Sequence, residues 1–172
     1  MSPTTTTDPI AEARRQWEAH GWEAPAAGMA AITTLVRVHQ ILESRIEEAL
    51  RPFGLTFARF EILRLLGFTR TGRLPMGKIS DRLQVHPASV TSAVKRLERD
   101  GLIRRVGDQN DSRIVLAVIL PAGTELLIGA TEAINRVFAT LGPSDAELDH
   151  LVDVLNQIRE LAGDSVAQPD DD

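Results

Sequence analysis

A chain of 172 residues with 43% hydrophobic and 25% charged side chains can bury one substantial core, which excludes wholesale disorder. The absence of cysteine excludes disulfides, thiol chemistry and thiolate metal sites, and the longest apolar run, the seven residues Ile114–Leu120, falls far short of the ~20 that a membrane helix needs. The formal charge of −5 conceals a division: between Arg70 and Arg113 ten basic residues face five acidic ones, a local +5, while the flanks together carry −10.

Ser2–Pro9 and Asp164–Asp172 read as loose tails, with Asp170–Asp172 as a solubilising end. The N-terminus has neither a basic nor an apolar signal region, so a cytoplasmic protein without a membrane partner is expected. Ile10–Trp22 predicts a short helix bearing Trp17 and Trp22, with Gly21 and Pro25 as breakers. From Gly28 to Phe53 the positions Ile32, Leu35, Val36, His39, Leu42, Ile46, Ala49 and Leu50 follow helical spacing, and Arg51-Pro52-Phe53-Gly54 ends the run. Thr56 predicts the cap of a helix reaching Phe68, followed by a loop over Thr69–Pro75. Two short helices follow, Met76–Leu83 and Pro87–Asp100, separated only by Gln84-Val85-His86. Leu102–Val106 and Ile114–Leu120 are rich in β-branched residues and flank the polar stretch 107–112, the pattern of a hairpin with a long tip. Ala122–Leu141 predicts a helix, Gly142-Pro143 a break, and Ser144-Asp145-Ala146-Glu147 the capping box of a last helix. The flanking helical stripes are too apolar to stand alone; they need each other or a second copy.

Helix, three-residue turn, helix and basic hairpin is the order of a winged helix-turn-helix, so the fold class is mainly α with a small β-hairpin wing. In Pro87–Arg99 the outward residues Ser89, Thr91, Ser92, Lys95, Arg96 and Arg99 are small or basic, suited to base edges and phosphates in a major groove. Val90, Ala93, Val94 and Leu97 form the inward stripe, against Ile79, Leu83 and Val85. Lys78 on the preceding helix joins the DNA-binding set. His86, before Pro87, suits a cap or a phosphate contact. Arg104 and Arg105 suit phosphate contacts, and Arg113, beside Asp111 on the hairpin, suits a minor groove.

At these residues the chain resembles the MarR (multiple-antibiotic-resistance regulator) family. The string LQVHPASVTSAVKRLERDGLIRR is similar to its recognition-helix segment, DQNDSRIVLAVILPAG to its wing, and FGLTFARFEILRLL to the helix before the reading head. Leu120-Pro121 departs from the usual Thr-x after the wing. The resemblance implies a homodimeric transcriptional regulator, usually a repressor, whose flanking helices intertwine. Its two winged heads read a pseudo-palindromic operator in double-stranded DNA. A small aromatic or anionic organic effector, with no other cofactor, releases it from a pocket between dimer helices and head. Carried onto this chain, Ser89, Thr91, Ser92 and Lys95 read bases, Arg113 is the wing-tip residue, and Asp111 orients the wing or a recognition-helix arginine. The implied organisation is a tail (1–9), N-terminal dimerisation helices (10–55), the winged head (56–120), C-terminal dimerisation helices (121–162) and an acidic tail (163–172).

The N-terminal helix with its tryptophans is similar to an extension in the urate-responsive branch of the family. The effector candidates are accordingly Trp17, Trp22, His39, Arg59 and Glu61, although ARFEIL departs from that branch's Glu-Phe-Asp motif. Trp17 and Trp22 suit packing anchors for a docked helix better than ligand cradles, and Glu61 could instead pair with Arg59, Arg64 or Arg37. His39 falls on the apolar stripe and reads as a core or pocket histidine. The four histidines lack metal-ligand spacing, and neither a phosphate loop nor a hydrolase triad is present, so an enzyme is not expected. The alternative is a winged-helix interaction adaptor without sequence-specific DNA binding.

Overall fold

The computed structural model describes residues 7–109, 111 and 113–166. The chain divides into two compact units that part between Val137 and Phe138. The first begins with α1 (Pro9–Ala19) and α2 (Glu23–Leu50), which pack on one another, and a 3-10 turn at Arg51–Phe53. It continues through α3 (Phe57–Phe68), β1 (Arg73–Pro75), α4 (Met76–Leu83), α5 (Pro87–Arg99), β2 (Ile103–Gly107), β3 (Val115–Ile119) and α6 (Pro121–Phe138). The second unit holds α7 (Asp145–Leu161). The fold is mainly helical with one small antiparallel sheet in the order β1-β3-β2, the expected class.

One core holds the first unit together. Leu50 closes α2; Phe60, Leu63 and Leu66 enter from α3, Ile79 from α4, Val90, Val94 and Leu97 from α5, Ile103 and Ala117 from the sheet, and Leu127, Ala130 and Ile134 from α6. Thr56 caps α3 by accepting from Arg59 N (3.4 Å), and Ser144 and Glu147 form the expected reciprocal box at the start of α7.

Four local expectations change. Asp8 and Pro9 belong to a helix start rather than a tail, because the Asp8 carboxylate accepts from Ile10 N at 3.0 Å. Likewise Asp164 receives Arg159 Nε at 2.8 Å, so the chain stays tied to the end of α7; the rest of both tails (1–6 and 167–172), with Asn110 and Ser112 at the hairpin tip, lies outside the described residues. Pro25 does not break a helix: α2 starts at Glu23, and a proline in the first turn has no intrahelical N–H partner to lose. The loop after α3 contains a strand, since Arg73, Leu74 and Pro75 pair with Val118, Ala117 and Leu116.

Apolar surface is left over in both units. On α2 only Ala26 and Leu50 are buried, while Ile32, Leu35, Val36, Val38 and Ile41 are exposed. The helix α7 buries none of its residues, leaving Leu151, Val152, Val154, Ile158 and Leu161 exposed. His39 also faces solvent, 3.9 Å from Glu43, and is not a core histidine: the part of the stripe from Ile32 to His39 is exposed, and only its end toward Leu50 reaches the core.

Gly123 in the first turn of α6 sits where a Cβ would overlap the Leu102 carbonyl oxygen and press on Ile119. Gly123→Ala is therefore expected to destabilise the protein by about 1–3 kcal/mol, read as a lower urea midpoint at unchanged slope. An unaltered midpoint would show that the α6–sheet junction gives way freely.

Candidate nucleic-acid interface

The turn between α4 and α5 is built from three residues with distinct backbone tasks. Gln84 takes a left-handed conformation (φ 52°) and ends α4, with Val85 N bonding back to Ser80 O at 3.3 Å. His86 Nδ1 accepts from Ala88 N at 3.2 Å, making His86 the N-cap of α5, and Pro87 occupies the first helical position. The capping role expected of His86 is performed by its ring through Nδ1. Val85, expected in the inward stripe, is exposed instead, because the left-handed turn carries it outward.

The helix α5 is divided by its own periodicity. Val90, Val94 and Leu97 are buried, whereas Ser89, Ser92, Lys95, Arg96 and Arg99 are exposed. Thr91 lies between the two faces, and its hydroxyl donates to Pro87 O at 2.9 Å. Clefts run along both flanks of the helix. One of about 620 Å³ is lined by Lys78, Thr91, Arg105 and Arg113, and one of about 490 Å³ by Arg59, Ser89, Ser92 and Arg96. The outward face and both flanks therefore present hydroxyl and cationic donors.

Two ion pairs tie α5 to its surroundings. Glu98 takes Arg105 N at 2.9 Å and Arg105 Nε at 2.8 Å, joining the helix to β2; these bonds from Arg105 hold the Glu98 carboxyl below its usual range. Arg59 donates to Gly54 O (2.7 Å) and to Asp100 Oδ2 (3.2 Å), joining the corner before α3 to the cap of α5. The Arg59 side chain is only 13% exposed. A guanidinium so engaged is a structural staple, tied within its own chain.

At the wing, Asp111 receives Arg113 N (3.0 Å), Nε (3.0 Å) and Nη2 (2.9 Å), and Asp111 N bonds Asp108 Oδ1 (3.2 Å). Of the two tasks open to Asp111, the geometry gives it the wing arginine. Hydrogen bonding lowers the Asp111 pKa and raises that of Arg113, whose side chain is nonetheless 88% exposed, so the guanidinium is aimed but not buried. Arg104 and Arg105 separate: neighbours on a strand point to opposite faces, and only Arg105 turns toward α5.

The remaining effector candidates do not converge within one chain. Trp17 and Trp22 meet edge to face at 5.3 Å, with His20 stacked on Trp22 at 5.6 Å, at the start of α2. The 28 residues of α2 put roughly 42 Å between that cluster and the end leading to α3, which carries Glu61. Glu61 is half-buried and meets none of its expected partners: Arg59 is stapled, Arg37 lies by Gln40, and Arg64 reaches Thr131 Oγ1 (3.3 Å) under the Phe68 ring. The sequence reading missed β1, the Glu98 clasp and the Arg59 staple. The one signal available for them was the local charge pattern, Glu98 and Asp100 among basic neighbours.

A MarR family model matches residues 55–115, the segment that forms α3, the helix-turn-helix and most of the wing. The structure of Sco5413, a MarR family transcriptional regulator from Streptomyces coelicolor, superposes with a TM-score of 0.72 at 39% identity, covering 82% of this chain and 99% of that one. The chain belongs to the MarR family of transcriptional regulators. It is a regulator, not an enzyme. It is also 30% identical over 118 residues to YhbI, an HTH-type transcriptional regulator of Bacillus subtilis, covering 69% of this chain and 72% of that relative. The fold is shared with Bordetella bronchiseptica BpsR, whose DNA binding is regulated by 6-hydroxynicotinic acid (TM-score 0.67, 22% identity, 73% and 90% covered). Among the described residues, no helix of the regulator is long and apolar enough to cross a membrane.

Burial raises the Glu61 pKa above that of the unfolded chain, so its charged form costs folding energy wherever the carboxyl is ionised. Glu61→Gln is expected to raise stability at neutral pH, and the gain to shrink to nothing as pH falls below the carboxylate range. Urea midpoints at neutral and acid pH check this; a pH-independent gain, or a loss, would reveal a partner for the carboxylate.

Proposed function

We propose that the protein is a homodimeric repressor that binds a pseudo-palindromic operator in double-stranded DNA and lets go when a small aromatic or anionic organic effector binds at the junction of dimerisation helices and head. The observation that carries the DNA reading is the outward face of α5, where Ser89, Ser92, Lys95, Arg96 and Arg99 stand exposed over a buried apolar stripe. Hydroxyls and cations so placed suit base edges and phosphates in a major groove, with Thr91, Lys78 and Arg105 along one flank. Arg113, held from behind by Asp111, suits the negative potential of a minor groove. An interaction adaptor would have no use for this concentration of exposed cations.

The dimer reading rests on leftover apolar surface. The exposed stripe of α2 and that of α7 each exceed what an isolated helix tolerates in water, and a second copy of the chain is the cover proposed for them. In a dimer, domains 10–55 and 121–162 would form the frame and 56–120 the heads. The effector reading draws on the family and on BpsR, whose ligand is a hydroxylated aromatic acid. Because Trp17 and Trp22 lie at the far end of α2 from Glu61, a pocket that uses them all takes them from two subunits.

Light scattering at micromolar concentration is expected to return twice the 18.8 kDa chain mass, and a monomer would overturn the dimer. On duplex DNA from upstream of the protein's own gene, Arg113→Ala is expected to weaken binding by about tenfold and to reduce the salt slope by about 1. Unchanged affinity and slope would remove the wing contact.

A further inference from the structure

The sheet has a second face. Residues opposite one another across a ladder share a side, so Arg73, Val118 and Arg104 form one row and Pro75, Leu116 and Val106 the next. Leu74, Ala117 and Arg105 point the other way, toward the core and α5. The row of Arg73 and Arg104 therefore looks away from the proposed reading helix.

On this outer face lies a groove of about 530 Å³. Its floor is apolar, formed by Val106, Leu116 and Val118, and Leu116 is only 8% exposed although it points outward. Arg73 and Arg104 stand on opposite sides of Val118, their backbones two strand spacings or about 10 Å apart. Among the described residues no hydrogen bond or ion pair reaches either guanidinium. That sets them apart from Arg59, Arg105 and Arg113, each of which is held by a carboxylate. Asp108, the acid at the rim, is engaged in the wing turn through Asp111 N.

We infer that this groove binds a small organic dianion with a flat apolar body, of the aromatic dicarboxylate class. Two like charges facing one groove outnumber its single carboxylate, Asp108 at the rim, and an anion at each end of a ligand relieves both. The apolar floor between them requires an apolar middle, which a phosphate diester of DNA lacks, and the face points away from α5. Carboxylates at the two ends meet the fork geometry of guanidinium groups, and the ring lies on Val118 and Leu116. This site is separate from the effector junction and does not depend on the regulator's DNA binding.

The test is a titration of the full-length protein with terephthalate, benzoate and inorganic phosphate, read by methyl NMR of Val106, Leu116 and Val118. Terephthalate is expected to move these methyls saturably at millimolar concentration or below, benzoate more weakly, and phosphate least. Arg73→Gln and Arg104→Gln, both at exposed positions, are each expected to weaken terephthalate by about tenfold. Unchanged circular dichroism is expected to show that the fold is intact. Unmoved methyls would overturn the site. Equal binding of phosphate and terephthalate would overturn the apolar part of it. Unmoved methyls combined with a loss of duplex-DNA affinity and salt slope in both variants would reassign the face to a DNA backbone contact.

Discussion

Three side chains on one face of α5, Val90, Val94 and Leu97, decide where every other feature of the head can stand. Each is buried against a core drawn from α3, α4, the sheet and α6, and burying a side chain of this size contributes about 1.5–3 kcal/mol. With that stripe fixed, helical periodicity alone sends Ser89, Ser92, Lys95, Arg96 and Arg99 to the opposite side. Hydrophobic burial sets which face of the helix turns inward but is not itself directional. The two ion pairs at its C-terminal end, Glu98 to Arg105 and Asp100 to Arg59, add directional bonds to β2 and to α3.

The charges of the head divide between structure and surface. Arg59 and Arg105 carry formal charge but are matched by Asp100 and Glu98, so they brace the helix. Arg113 is matched as well, yet stays almost fully exposed, because the clasp of Asp111 sets its direction without removing it from water. Lys95 and Arg96 stand exposed on α5 itself. The +5 of the middle segment is thus less uniform than a count suggests: its exposed cations are spread over α4, α5, the wing tip and, at Arg73 and Arg104, the outer face of the sheet.

Much of this was legible in the chain. Helix starts were visible wherever a local bond made them: Thr56, His86 with Pro87, and the Ser144–Glu147 box each act over three residues or fewer. The division of α5 and the two wing strands followed from period, and the family followed from the strings at α5 and the wing. The strand β1 was not legible, because Arg-Leu-Pro is too short to show an alternation and is extended only through its pairing with β3. Val85 was misplaced because a left-handed Gln84 cannot be foreseen from its residue type. Arg59 and Glu61 were grouped by position in a motif, whereas their surroundings depend on Asp100, 41 residues further on, and on burial.

By itself the sequence determined what acts locally: the helices and their caps, the three-residue turn, the segregation of basic from acidic residues, and the family. Short-range hydrogen bonds and periodic apolar positions suffice for these, because both act within a few residues along the chain. Only the tertiary structure decided which arginines brace the fold and which stay free, that Arg104 and Arg105 face opposite ways, and that the tryptophans and Glu61 lie at opposite ends of a long helix. Those outcomes depend on partners distant in the chain, where the direction of a side chain and the burial of a charge outweigh the identity of its neighbours in sequence.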